Sequence, residues 1–252
     1  MSADLPRRLG VAFGMLLALT LPAAAAICER VEHDGQGYVL CEVTAAQEGA
    51  LRLWQDGPDG APLRHFANLR RVLAPGESLA FAMNAGMFHA DYRAVGLLVI
   101  DGVELSPIVT GASNDNFGML PNGVFCSGGA QPFAVIESRT FAQTRPDCRL
   151  ATQSGPMLVI EGELHPRFLV DSTSRYIRNG VGVSADGQTA WFAISNRPVT
   201  FHEFGRFFRD GLGVPNALYF DGSVSRLYAP SVRRADFGRS MGPIIGLVGQ
   251  DG

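Results

Sequence analysis

The chain has 252 residues and a formal net charge of −3, with its 24 acidic residues scattered and no long run of either sign. Such a balance points to no nucleic-acid partner and no anionic-membrane surface. All 21 basic residues are arginine, which excludes a Schiff-base lysine, a Walker-type phosphate lysine and a Ser-Lys dyad. Any anionic substrate group would be held by arginine forks, backbone amides or hydroxyls.

Arg7 and Arg8 precede an apolar run from Leu9 to Leu21, followed by the small residues Ala23 to Ala26. This pattern predicts a signal peptide over 1–26, with general secretion ahead of twin-arginine export. The run is shorter than the roughly 20 residues that span a bilayer, so cleavage is expected rather than anchoring. The remainder, 27–252, has no repeat or linker and reads as one domain. No later segment is apolar for long enough to span, so a periplasmic or secreted protein with no membrane span after cleavage is expected. Cys28, Cys41, Cys126 and Cys148 suit two disulfides, most simply Cys28–Cys41 and Cys126–Cys148, although four cysteines permit three pairings.

Strand-like runs cover 37–43 and 51–54, and the turn-forming loop 56–60 follows. Three hairpins are expected: 95–100 with 103–105 across Asp101-Gly102, 156–160 with 163–165 across Glu161-Gly162, and 181–183 with 189–194 around Asp186-Gly187. Asp-Gly pairs supply the positive φ angles of tight hairpin turns, so Asp101 and Asp186 read as turn residues. Thr200 and Glu203 form a capping-box pattern ahead of Phe201, Phe204, Phe208 and Leu212 at helical spacing, with Gly211 and Gly213 as a stop. The predicted class is α+β: a single hairpin-rich domain with a mixed or antiparallel sheet and a few packed helices.

Familiar catalytic signatures are missing, and the five histidines lack metal-ligand spacing. No metal site or cofactor is expected, although a divalent cation held by scattered carboxylates would leave no motif. What recurs is a polar residue where an apolar strand stops. Asn84 follows Phe81-Ala-Met; Ser154 and Gly155 precede 156–160; Arg178 precedes 179–183 after a loop containing Asp171; Asn196 follows 191–195; and Asp221 and Ser223 follow 217–220. Loops carried by rigid strands commonly build sites, so these ends are expected to meet at one rim.

The segments NAGMFH at 84–89, AVGLLV at 94–99, LPNGVF at 120–125, ATQSGPMLV at 151–159, RNGVGVSADG at 178–187 and NALYFDGSVS at 216–225 together resemble the phosphodiester glycosidase domain family, in its bacterial exported branch. The resemblance implies an exported hydrolase cleaving the glycosidic bond of a sugar-1-phosphodiester, with a glycan or small-molecule phosphodiester as substrate. A phosphodiesterase cutting the P–O bond and a non-catalytic carbohydrate-binding module are the alternatives. Such a glycosidase passes through an oxocarbenium-like transition state, and the departing phosphate leaves readily if cations stabilise it. On this reading Asp221 is base or nucleophile and Arg178 the phosphate clamp. Asn84, Ser154, Gly155, Asn196 and Ser223 orient the substrate, and Asp171 is a possible second carboxylate.

Overall fold

The structure is a computed structural model that describes residues 28–250; the expected signal peptide lies outside the described residues. Seven strands form one sheet in the order Cys28–His33, Gln36–Thr44, Thr189–Ser195, Asn179–Val183, Asn216–Asp221, Met157–Ile160 and Glu163–Leu164. A second sheet runs Arg234–Ala235, Leu227–Ala229, Glu77–Asn84, Ile244–Gln250 and Leu51–Trp54. A third runs Val103–Ser106, Leu98–Ile100, Leu150–Ser154, Gly123–Ser127 and Phe133–Glu137. Every pairing among the described strands is antiparallel.

Alternation along the strands explains how three sheets share one interior. Val181, Phe192, Leu218 and Phe220 come from the first sheet, Phe81, Met83, Leu227 and Ile245 from the second, and Leu98, Phe125 and Phe133 from the third; all pack in one central cluster. Phe192 lies 5.3 Å from Phe81 and stands edge-on to Phe125 at 5.5 Å between centroids, so this one ring is in contact with both other sheets.

Each sheet's other face receives one short helix. Phe201–Arg206 covers the seven-stranded sheet through Phe204, Phe66–Arg71 packs Phe66 and Leu69 on the second, and Ser138–Thr144 sets Phe141 on the third. Period two in Asn179-Gly-Val-Gly-Val183 follows from this layering. Val181 and Val183 enter the central cluster, whereas a Cβ on Gly182 would lie 2.7 Å from the Phe208 ring on the helix side.

The expected helix start is present: Thr200 Oγ1 accepts from the Glu203 N–H at 3.1 Å and Glu203 Oε2 from the Thr200 N–H at 2.8 Å. The α-helix then stops at Arg206, and Phe207–Gly211 continues as a wider π turn. That turn buries the consecutive rings Phe207 and Phe208 together, with Phe207 stacked 4.1 Å from Tyr38. Two hairpin turns have the expected left-handed pairs, with φ of 49° and 78° at Asp101-Gly102 and of 49° and 87° at Glu161-Gly162. At the third only Gly187 is left-handed (φ 69°), because the connection 184–188 is longer and Asp186 instead accepts from Ser184 Oγ at 2.6 Å.

Both disulfides form as the simplest pairing required, Cys28–Cys41 and Cys126–Cys148. The second ties Gly123–Ser127 to the entry of its neighbour Leu150–Ser154 across a sequence separation of 22. Replacing Cys126 and Cys148 together by alanine should lower unfolding free energy by about 3 kcal/mol, since the open chain regains loop entropy when unfolded. Urea denaturation of the oxidised parent and the variant checks this; equal midpoints would remove the bond from the stability of the third sheet.

Candidate active site

Asn84 ends its strand fully buried, and a buried amide must be paired. Its Nδ2 donates to Asn179 Oδ1 at 3.1 Å, Asn179 Nδ2 donates to the Asn84 carbonyl at 2.8 Å, and Asn84 Oδ1 accepts the Arg226 N–H at 2.9 Å. Ser225 Oγ also donates to Asn179 Oδ1 at 3.1 Å. One amide pair therefore fastens the end of Glu77–Asn84 to the start of Asn179–Val183 and to the chain that leaves Asp221.

Asp221 owes its position to a β-bulge. Gly180 pairs with Tyr219, and uninterrupted pairing would set Asn179 opposite Phe220, but Asn179 pairs with Asp221 instead. Such an insertion re-aims the side chain that follows it. The carbonyl of the inserted Phe220 accepts from Ser154 Oγ at 2.7 Å, so the end of Leu150–Ser154 holds the bulge in place. Asp221 Oδ1 accepts the Ser223 N–H at 2.7 Å, and the Asp221 carbonyl shares the single Ser225 hydroxyl proton with Asn179 Oδ1, which closes the turn. In contrast to the exposed turn residue Asp186, whose hydrogen bonds pull its pKa down, Asp221 is only 7% exposed and burial pushes its carboxyl above the usual range. Amides of Ser223, Val224 and Gly222 offset part of that rise.

Arg178 is 1% exposed, and its guanidinium is held on several sides. Nε donates to the Val199 carbonyl at 2.9 Å, and the terminal nitrogens donate to Tyr219 Oη at 3.2 Å and to the Ser174 carbonyl at 3.1 Å. The Phe201 ring lies 3.6 Å from the guanidinium carbon. Its backbone N–H donates to Ser195 Oγ at 3.0 Å, which joins the end of Thr189–Ser195 to the group. Burial lowers the Arg178 pKa; the nearby Glu203 carboxylate is committed to Arg175 at 2.8 Å. Arg178 thus carries a desolvated positive charge with neutral oxygens around it. A recess of about 170 Å³ adjoins it, lined by Asn116, Ser172, Ser174, Phe201 and His202 among others.

The structure therefore gathers Asn84, Ser154, Arg178 and Asp221. Gly155 is packed shut: a Cβ there would lie 2.6 Å from Asn122 and 2.7 Å from the Phe117 carbonyl. Asn196 is exposed and turned outward, with Oδ1 accepting from Arg234 at 3.0 Å. Ser223 offers its backbone to Asp221 from an exposed turn, and Asp171 is exposed in the loop before Arg178. Asn179, Ser195, Tyr219, Ser225 and Arg226 belong to the cluster but not to the residues singled out from the sequence. The signal for Asn179 is adjacency to Arg178, and for Ser225 its place four residues after Asp221. Tyr219 carried none, because an aromatic inside an apolar run reads as core. No group of three or more His, Cys, Asp or Glu side chains converges among the described residues.

Two outcomes follow for stability. Asn84→Ala leaves the Arg226 N–H unpaired in the interior and takes one of two donors from Asn179 Oδ1, and should cost about 2 kcal/mol, measured by denaturant unfolding; a loss below the noise would mean that water takes over both roles. Asp221 behaves differently, because its folded pKa lies above its unfolded one. Ionised Asp221 then opposes folding; the penalty is absent below the ordinary carboxylate range and grows as pH rises through the raised value. Asp221→Asn should therefore raise Tm at neutral pH, with the gain fading on acidification. A gain that does not change with pH would have another origin.

Comparison with known proteins accords with these motifs. The family model described as phosphodiester glycosidase matches residues 77–247, a span that contains Asn84, Ser154, Arg178, Asp221 and Arg226. The chain is 33% identical over 186 residues to the uncharacterized protein YigE of Escherichia coli strain K12, covering 74% of this chain and 72% of that one. It also has the fold of the zebrafish N-acetylglucosamine-1-phosphodiester alpha-N-acetylglucosaminidase catalytic domain, solved auto-inhibited by its pro-peptide, with a TM-score of 0.58 at 14% identity over 88% of this chain and 81% of that one. With the family model spanning more than half of the sequence and every strand end that builds the cluster, the chain belongs to the phosphodiester glycosidase family.

Proposed function

We propose that the protein hydrolyses the glycosidic bond of a sugar-1-phosphodiester, releasing the sugar and a phosphomonoester, with Asp221 as general base or nucleophile. The observation that carries this reading is the state of Asp221: a carboxylate buried at the meeting point of several strand ends, with a raised pKa and amide donors rather than a cation beside it. A carboxyl group tuned upward by burial is suited to proton transfer near neutral pH. Family membership supports the reaction class.

The other residues divide by reach. Arg178 acts on the departing phosphate through its little-screened charge, while its hydrogen bonds hold Tyr219 and Ser174 in place. Asn84 and Ser154 are positioning residues: the first has both amide atoms committed, and the second supports the Phe220 bulge. Two disulfides fit work outside the reducing cytoplasm, in the periplasm or secreted.

Turnover of a panel of sugar-1-phosphodiesters in oxygen-labelled water tests the assignment. Label should enter the sugar; label in phosphate would establish P–O cleavage instead, and binding without turnover would make the protein a carbohydrate-binding module. Asp221→Asn should lower kcat on the order of 10²–10⁴-fold with little change in substrate affinity, and undiminished activity in a folded variant would remove Asp221 from the chemistry. The acid limb of kcat/KM should lie above the ordinary carboxylate range, as the raised Asp221 pKa requires.

A further inference from the structure

Arg226 closes the segment that begins at Asp221 and is a second arginine that the fold buries, at 8% exposure. Its backbone N–H is fixed by Asn84 Oδ1. Its guanidinium makes no hydrogen bond and no ion pair among the described residues, unlike Arg178, which has three protein acceptors and an aromatic ring against it. Asp236 is the carboxylate whose charge reaches Arg226, but its two oxygens already accept from Arg234 Nε at 3.1 and 3.0 Å, and one also accepts the Leu227 N–H at 3.0 Å. Arg239 follows Gly238, the residue whose backbone lies against the fork, and its positive charge reaches Arg226. Its stem is buried, but the guanidinium nitrogens of Arg226 reach solvent, so the donors stand open to a ligand that arrives from outside.

The loop that follows backs one side of this fork. Gly238 has φ 120° and passes so close that a Cβ would lie 2.8 Å from a terminal nitrogen of Arg226. A side chain there would occupy the approach to the fork. Phe237 next to it is 94% exposed. A planar fork with open donors, a second arginine and a glycine wall matches the paired oxygens of a phosphoryl group.

We propose that Arg226, with Arg239 beside it, forms an oxyanion site that takes a phosphoryl group, either the phosphate of a substrate phosphodiester or free inorganic phosphate. The site needs recognition only and stands apart from the hydrolytic reading. Asn84 accepts the Arg226 N–H and Asn179 accepts from Ser225, so the backbone carrying the fork is registered against the backbone carrying Asp221.

Calorimetric titration of the whole protein with inorganic phosphate tests the site. The parent should bind, Arg226→Gln should weaken affinity about tenfold or more, Arg239→Gln about threefold, and Asp221→Asn should bind at least as tightly as the parent. Circular dichroism verifies the fold of each variant. If Arg226→Gln does not fold, the exposed Arg239→Gln decides alone. No binding by the parent, or unchanged affinity in the deciding variant, overturns the proposal. Phosphate that raises KM at constant kcat places the site at the substrate's own phosphoryl group; binding without inhibition makes it a site for the free ion. Arg226-dependent phosphate binding by a protein that hydrolyses no sugar phosphodiester would leave this site standing and discard the hydrolytic reading.

Discussion

Where three sheets meet, polar backbone and amide groups at the strand ends are shut away from water, and their pairing constrains everything around them. The reciprocal contact between Asn84 and Asn179 meets that demand. It joins the second sheet to the first, fixes the Arg226 N–H and, through Ser225, anchors the turn that follows Asp221. An unpaired buried amide forfeits the desolvation free energy of its donors and acceptors, which makes this junction rigid and geometrically specific. The carboxylate nearby is buried by the same closure, so one constraint both locates Asp221 and sets its protonation.

The two buried arginines illustrate how similar residues diverge through their surroundings. Arg178 is saturated by carbonyls, a phenol and an aromatic ring, so the protein itself holds its charge in place. Arg226 lies beside a filled carboxylate and beneath a glycine, with its donors open. Absence of lysine from the whole sequence gives this contrast weight, because every cationic contact must come from a planar fork with directional donors.

Much of the fold was legible because local physics decides it. Left-handed turns at Asp101-Gly102 and Glu161-Gly162, the Thr200–Glu203 box and the two short-range disulfides depend on residues close in sequence. Strands such as Gly123–Ser127 and Ile244–Gln250 were not legible: they are buried along most of their length and lack the clean alternation that marks a half-exposed strand. The π turn at Phe207–Gly211 likewise answers to Tyr38, a residue far away in sequence.

The site divides along the same line. From the sequence alone came the family resemblance, the arginine-only basic set and a short group of polar strand ends that includes Asn84, Ser154, Arg178 and Asp221. Tertiary structure decided which of them meet: Asn196 faces Arg234, Gly155 is packed shut, and Asp171 and Ser223 stay exposed. It also decided that Asp221 stands opposite Asn179, because the bulge at Phe220 breaks the period-two rule that any reading of a single strand assumes. That bulge is held by Ser154 from another sheet, 66 residues away in sequence. Periodicity is a property of one strand, whereas the aim of a side chain at a strand's end depends on what the neighbouring sheets bond to.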